Sequence, residues 1–259
     1  MTPNRLRWGA LLWLLTLQFF VVETIAQLRY EGPYSRADDV ISDLGTADSA
    51  ARQLMNASFV VQAALIVGGA LLLRPALLRG AGQAVPSLLG AAGVGVLLVG
   101  VFPSDGQAGL HATGAVLYLL GGGLALIALA YAVRPRSEAL GTVLALLGLV
   151  GTAATVFFLT GVVEYLGEGG TERAAAYVLP IGLAIAGPAL WRLTRSADGD
   201  RPDRRAERER ARARRAERER ERDEALEAAA RRKAPAVRAE TDDPDAEDPW
   251  ATPVRRRGD

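Results

Sequence analysis

LHATGAVLYLLGGGLALIALAYAV, residues 110–133, carries no Asp, Glu, Lys or Arg over 24 positions. At about 1.5 Å per residue, a helix of that length reaches across a hydrocarbon core of roughly 30 Å. A membrane-spanning strand would be about ten residues long with alternating polarity, and the stretch does not alternate. Five more runs are as apolar, with Glu23 and Arg192 their only charges, at 8–26, 54–73, 85–102, 139–163 and 174–193, and the six are each 18 to 25 residues long. The expected fold is therefore all-α, an integral membrane bundle of six transmembrane helices within residues 1–195. Beyond it a charged cytoplasmic helix is expected over 196–233 and a disordered charged tail over 234–259.

Charge divides the chain in the same place. The net charge of +1 averages an apolar body with 11 Arg and 11 acidic residues up to Thr194 and a tail, 195–259, with 18 Arg, one Lys and 18 acids. Arg5 and Arg7 precede the first run, Arg74 and Arg79 follow the second, Arg134 and Arg136 follow the fourth, and Arg192 and Arg195 close the sixth. Six crossings put all of these on one face. The positive-inside rule then places both termini in the cytoplasm of a cell-membrane protein. The opposite face collects Glu31, Asp38, Asp39, Asp43, Asp48, Asp105, Glu164, Glu168 and Glu172. The first run, with Arg5 and Arg7 before it and Thr24-Ile25-Ala26 at its end, also has the outline of a signal peptide. Its length and Glu23 favour a retained span.

Glycines recur through the runs, among them Gly95, Gly114, Gly121 to Gly123 and Gly148, as expected where helix backbones approach closely in lipid. Pro180 and Pro188 predict a bend in the last span.

The connection PYSRADDVISDLGT, residues 33–46, has three aspartates and two serines between apolar runs. Ser35 as N-cap, Asp38 three residues on and Gly45 as C′ predict a short amphipathic helix. Ala37, Val40, Ile41 and Leu44 would face the bundle, with Asp38, Asp39, Ser42 and Asp43 turned away. Other polar groups fall at the same depth: Glu23 about one turn inside the first span, Asp105 and His111 in FPSDGQAGLH, and Glu164 at the end of the fifth. Ionisable groups bordering hydrocarbon are costly and call for a partner or a function. Glu23, Asp39, Ser42, Asp43, Asp105, His111 and Glu164 are thus the candidate site. Glu23 would need a water-filled pocket, a cation such as Arg29 or Arg52 as its counter-charge, or a raised pKa. His111 would act as proton carrier, metal ligand or hydrogen-bond donor. The chain has no cysteine and one histidine, so it offers no thiolate site, and no metal or cofactor is expected.

YSRADDVISDLGT at 34–46, Met55-Asn56, VGVFPSD at 99–105 and the following His111 resemble the prokaryotic six-helix membrane proteins catalogued as domain of unknown function 998. The resemblance covers roughly residues 8–194. It implies six helices, including the first span, and no established activity. The ISD-containing first loop is also distantly similar to the eukaryotic DRAM-like membrane family, a resemblance that implies a connection with lipids.

In the tail RRAERER occurs at 204–210 and again at 214–220, which favours a solvated helix without a coiled-coil heptad. Residues 201–222 hold 11 Arg against six acids, an excess suited to anionic lipid headgroups. The tail would also serve a protein partner, whereas its few aromatics and interleaved acids argue against nucleic acid. With no recognisable catalytic motif, the leading expectation is non-catalytic binding of lipid or amphiphile, or membrane organisation. The alternatives are a proton-coupled transporter using Glu23, and a membrane-embedded hydrolase or metal enzyme using His111 with the outer aspartates.

Overall fold

Long apolar segments without charge can satisfy their backbone in lipid only by bonding internally, and the chain does so almost throughout. A computed structural model describes residues 3–77 and 81–239. Among these, eight α-helices make six stretches long and apolar enough to cross a membrane. The first crossing is split into α1 (Pro3–Leu15) and α2 (Gln18–Gln27), and α3 (Arg52–Leu73) is the second. Then follow α4 (Ala81–Val101), α5 (Ala108–Val133) and α6 (Glu138–Thr160). The sixth crossing-length stretch is Glu168–Ser196, formed by α7 (Glu168–Ala176) and the beginning of α8 (Val178–Ala239). It begins at Glu168, ahead of the Ala174 read from the sequence, so Glu172 and Arg173 belong to a helix and not to a loop.

Two units can be separated, Met1–Asp198 and Gly199–Asp259. In the second, the chain is helical as far as Ala239, the side chains of 209–232 are exposed, and Arg231 pairs with Glu227 at 3.8 Å. The tail's expected disorder lies, from residue 240 on, outside the described residues, as does Arg79.

Within the first unit consecutive crossings pack side by side, α1 and α2 on α3, α3 on α4, α4 on α5 and α5 on α6. The last crossing closes on several of them. Gly187 meets the Ala10 backbone, Gly182 meets Leu126 of α5, and Gly151 of α6 meets Val178. Because lipid tails are as apolar as leucine, close packing drives this association. Gly95 and Gly114 show it: a Cβ on either would strike backbone atoms of the facing helix. Large lipid-facing side chains remain exposed along α6, including Leu146, Leu149, Val150 and Phe157.

Both helix interruptions are used as cross-links. Pro180 cannot donate to the carbonyl of Ala176, four residues back. The Tyr118 hydroxyl donates to that carbonyl instead, at 3.2 Å. The change from α7 to α8 at Tyr177 falls three residues before Pro180, whereas α8 runs unbroken through Pro188. In the first crossing the amides of Thr16 and Leu17 bond three residues back, and the Thr16 hydroxyl donates to Trp13 O at 2.6 Å and reaches Pro180 O at 3.2 Å.

Arg5, Arg134 and Arg136 gather at one end of the bundle. Arg5 donates to Leu71 O at 3.0 Å, Arg136 donates to Ala76 O, and Arg134 pairs with Glu138 at 3.7 Å. The connections 28–51, 102–107 and 161–167 lie at the other end.

Candidate functional site

Residues 28–51 form a strap over the bundle end. Its two arms are tied by an antiparallel bridge between Tyr30 and Ser49, with Glu31 N donating to Asp48 O at 2.9 Å and Ala50 N to Arg29 O at 3.2 Å. The expected N-cap bonds form at Ser35. Its hydroxyl accepts from Asp38 N at 3.3 Å while donating to Asp38 Oδ2 at 2.6 Å, and its amide donates to Asp39 Oδ2 at 2.6 Å.

The expected α-helix does not follow. Val40 is extended (φ −75°, ψ 158°), and only a 3-10 turn, Ile41–Gly45, appears. The reason is tertiary competition for the backbone. In a helix, Arg36 O, Ala37 O and Asp39 O would accept from Val40, Ile41 and Asp43 amides. Here Arg173 Nη1 donates to Arg36 O at 2.8 Å and to Asp39 O at 2.7 Å, and Gly170 N donates to Ala37 O at 2.9 Å. The Ile41 amide donates to the buried Glu172 carboxylate. Ile41 and Leu44 still face the bundle, buried, while Ala37 is exposed. Gly45 lacks the positive φ of a C′ residue; its missing Cβ leaves room for Asn56, whose Nδ2 donates to Gly45 O at 2.9 Å.

α7 can reach the strap so closely because its first turn is glycine-rich. A Cβ at Gly167 (φ +74°) would collide with Ala37 O, and one at Gly169 with Asp39 O.

Beneath the strap lies Glu23, 1% exposed. Its Oε1 accepts from Arg173 Nε at 3.0 Å and from Gln27 Nε2 at 3.0 Å. The Tyr177 hydroxyl lies 2.8 Å and 2.6 Å from its two oxygens. Arg36 stands 3.9 Å away and donates to Gln27 Oε1 at 3.0 Å and to the Tyr177 hydroxyl at 2.6 Å. The counter-charges are thus Arg173 and Arg36, not the expected Arg29 or Arg52. Arg173 also donates to the Tyr34 hydroxyl, which in turn donates to Val40 O at 3.0 Å. Burial pushes the Tyr34 phenol up to about 12, against the pull of the Arg173 charge.

The other expected residues divide into three groups. Asp39 joins this cluster through its carbonyl, its carboxylate being turned back to Ser35. Ser42 and His111 line a neighbouring cavity of about 30 Å³ with Glu172 and Tyr118, walled by Phe19, Phe59 and Val96. That is room for a water or two, since one needs about 10–15 Å³ by this measure. His111 Nδ1 lies 2.8 Å from Phe102 O, which fixes a proton on that nitrogen.

Asp43, Asp105 and Glu164 stay outside. Asp43 is half-buried on the strap; burial lifts its carboxyl above the usual range, a backbone bond at Val40 opposes this, and Asp39, Glu168 and Asp48 add to the rise. Asp105 is exposed and accepts from Ala47 N at 3.0 Å, tying the loop before α5 to the strap. Glu164 is exposed in its loop. No group of three His, Asp or Glu that could hold a metal occurs among the described residues.

Arg173, Tyr34, Tyr177, Arg36 and Glu172 were not foreseen as site residues. The signal available was the i,i+4 spacing of Glu23 with Gln27 and of Arg173 with Tyr177, which puts each pair on one helix face.

Six apolar crossings, with an ion-paired carboxylate closed under a strap at one end, define a multi-pass integral membrane protein. The chain belongs to the family described as Protein of unknown function (DUF998), whose model matches residues 14–188. That range contains the strap and every residue of the Glu23 cluster and stops before the charged tail. No curated protein and no solved structure matches the chain.

Proposed function

We propose that this is a non-catalytic protein of the cell membrane, with both termini in the cytoplasm, that holds a lipid or similar amphiphile against its own first and last crossings. The observation that carries the reading is a lipid-facing groove of about 550 Å³ between α1 and the start of α8, lined by Asn4, Arg7, Trp8, Ala10, Leu11, Leu14, Pro188 and Trp191. Its size falls within the roughly 300–1,000 Å³ of ligand pockets, and its walls pass from apolar to cationic, as an amphiphile does. The tail's arginines would add attraction to anionic headgroups or engage a protein partner.

The polar end supports the alternatives less well. A proton carrier needs a carboxylate free to exchange, whereas both Glu23 oxygens accept hydrogen bonds and two guanidinium groups stand beside it. A hydrolytic set needs its members in mutual reach. Instead His111 is engaged with Phe102 O, and Asp105 with Ala47 N.

The test is lipid retention. Native mass spectrometry after extraction from nanodiscs should find one lipid held per wild-type chain, and none when Leu11→Trp fills the groove. Equal retention by both proteins, or retention by neither, would refute the reading.

A further inference from the structure

Building on that reading, we infer that the groove's occupant is an anionic phospholipid, with its headgroup at Arg7 and one acyl chain running along Leu11 and Leu14. Failure of this inference can be told from failure of amphiphile binding itself.

Charge assigns the headgroup. Arg7 lines the groove, is exposed, and makes no ion pair or hydrogen bond with any described residue. Its neighbour Arg5 is committed to Leu71 O at 3.0 Å. Across the groove, Arg195 stacks over the Trp191 ring at 5.3 Å, which brings a second cation to the same mouth. No acidic side chain lines the groove. An unneutralised guanidinium pair there matches the phosphate, and the further negative charge, of an anionic headgroup.

Length assigns the leaflet. From Asn4 to Leu14, α1 rises about 15 Å, half of a hydrocarbon core of roughly 30 Å and so the depth of one leaflet. The antiparallel α8 keeps Trp191 beside the Arg7 end, since Gly187 meets Ala10 and Trp13 one helical turn deeper. Trp8 and Trp191 therefore sit where aromatic rings flank headgroups.

A second groove provides the contrast. About 370 Å³ in volume, it lies between α5 and α6 at the same end, with Tyr131 and Arg134 at its mouth. There Arg134 is already paired with Glu138 at 3.7 Å. The two grooves lie at the same end but differ in free charge.

The experiment uses the full chain in nanodiscs of phosphatidylcholine with phosphatidylglycerol, reading the class of retained lipid by native mass spectrometry. Wild type should prefer phosphatidylglycerol by roughly fivefold or more, the factor one exposed cation supplies near an anionic surface. Arg7→Gln should lower the ratio by roughly fivefold, leaving only the share Arg195 supplies, and Arg134→Gln should leave it unchanged. Because Arg7 bonds to no described residue, its substitution leaves the fold intact, which a thermal unfolding curve checks. Equal retention of both lipids, still abolished by Leu11→Trp, would overturn the anionic assignment and leave amphiphile binding standing. Retention of neither lipid would overturn both. An equal loss of preference in Arg134→Gln would also overturn the assignment, since general surface charge would then account for it.

Discussion

Separating Glu23 from Arg173 is the sharpest perturbation of the capped end. The two side chains are 1% and 6% exposed and meet at 3.0 Å, so each neutralises a charge that water cannot reach. Removing one partner of a buried pair costs about 3–5 kcal/mol, mostly the desolvated charge left behind. Glu23→Gln keeps an acceptor for Arg173 and Tyr177 and leaves the half-exposed Arg36 partly solvated, so its cost should fall near the lower bound, about 3 kcal/mol. Arg173→Met leaves Glu23 with Arg36 and Tyr177 but releases the carbonyls of Arg36, Asp39 and Gly169, which places it nearer about 4 kcal/mol. The double variant buries neither charge. It should cost about 4–5 kcal/mol, short of the roughly 7 kcal/mol sum, for a coupling of about 2–3 kcal/mol, within the range for directly contacting residues. Reversible unfolding in mixed micelles of wild type, both single variants and the double variant gives the cycle directly. Costs that add to within about 0.5 kcal/mol would mean that the pair is not coupled and that the strap is held by its backbone bonds alone.

Acid should reveal Asp43. Its folded-state pKa is raised by burial, so the folded protein holds the proton more tightly than the unfolded chain, and stability falls as pH rises from the usual carboxylate range through the folded value. Asp43→Asn should remove that slope and leave the protein at least as stable at neutral pH; thermal unfolding across acidic buffers measures it, and an unchanged slope would count against the assignment. Tyr118→Phe should orphan the buried carbonyl of Ala176 at a cost of about 1–3 kcal/mol. Adding Pro180→Ala, which returns an amide donor within the helix, should recover part of that loss, and no recovery would show that the hydroxyl matters for another reason.

The six crossings were legible because length and scarcity of charge are properties of each segment alone. Thr16 and Leu17 looked like any other part of an apolar run, and the partner that Thr16 meets at the break, Pro180 O, stands 164 positions along the chain. Glu23 was legible as a problem, a carboxylate at membrane depth, but its solution was not. Arg173 read as a loop residue because the apolar run starts after it, while the helix starts before it at Glu168. The cavity pairing of Ser42 and His111 with Glu172 depends on how the strap folds down, which no local spacing encodes.

The strap shows how a correct local signal can be overruled. Ser35 makes its capping bonds, yet a capped segment of this length gains little from helix formation alone, because nucleation is unfavourable and short helices are marginal in water. Against that weak preference stand a guanidinium, a buried carboxylate and a backbone amide of α7, all aimed at groups a helix would use internally. The contact runs mostly from α7 to the strap's main chain, so it constrains α7 more than the strap. Arg36 and Ala37 present carbonyls that any residue could supply, whereas a single Cβ at Gly169 would meet Asp39 O and force the two elements apart. The same glycines bring Arg173 within reach of Glu23, so the turn that docks the strap also settles the buried charge. At this end the buried charges of Glu23 and Arg173 neutralise each other, while Arg7, without a partner among the described residues, stands at the other end beside a groove open to lipid.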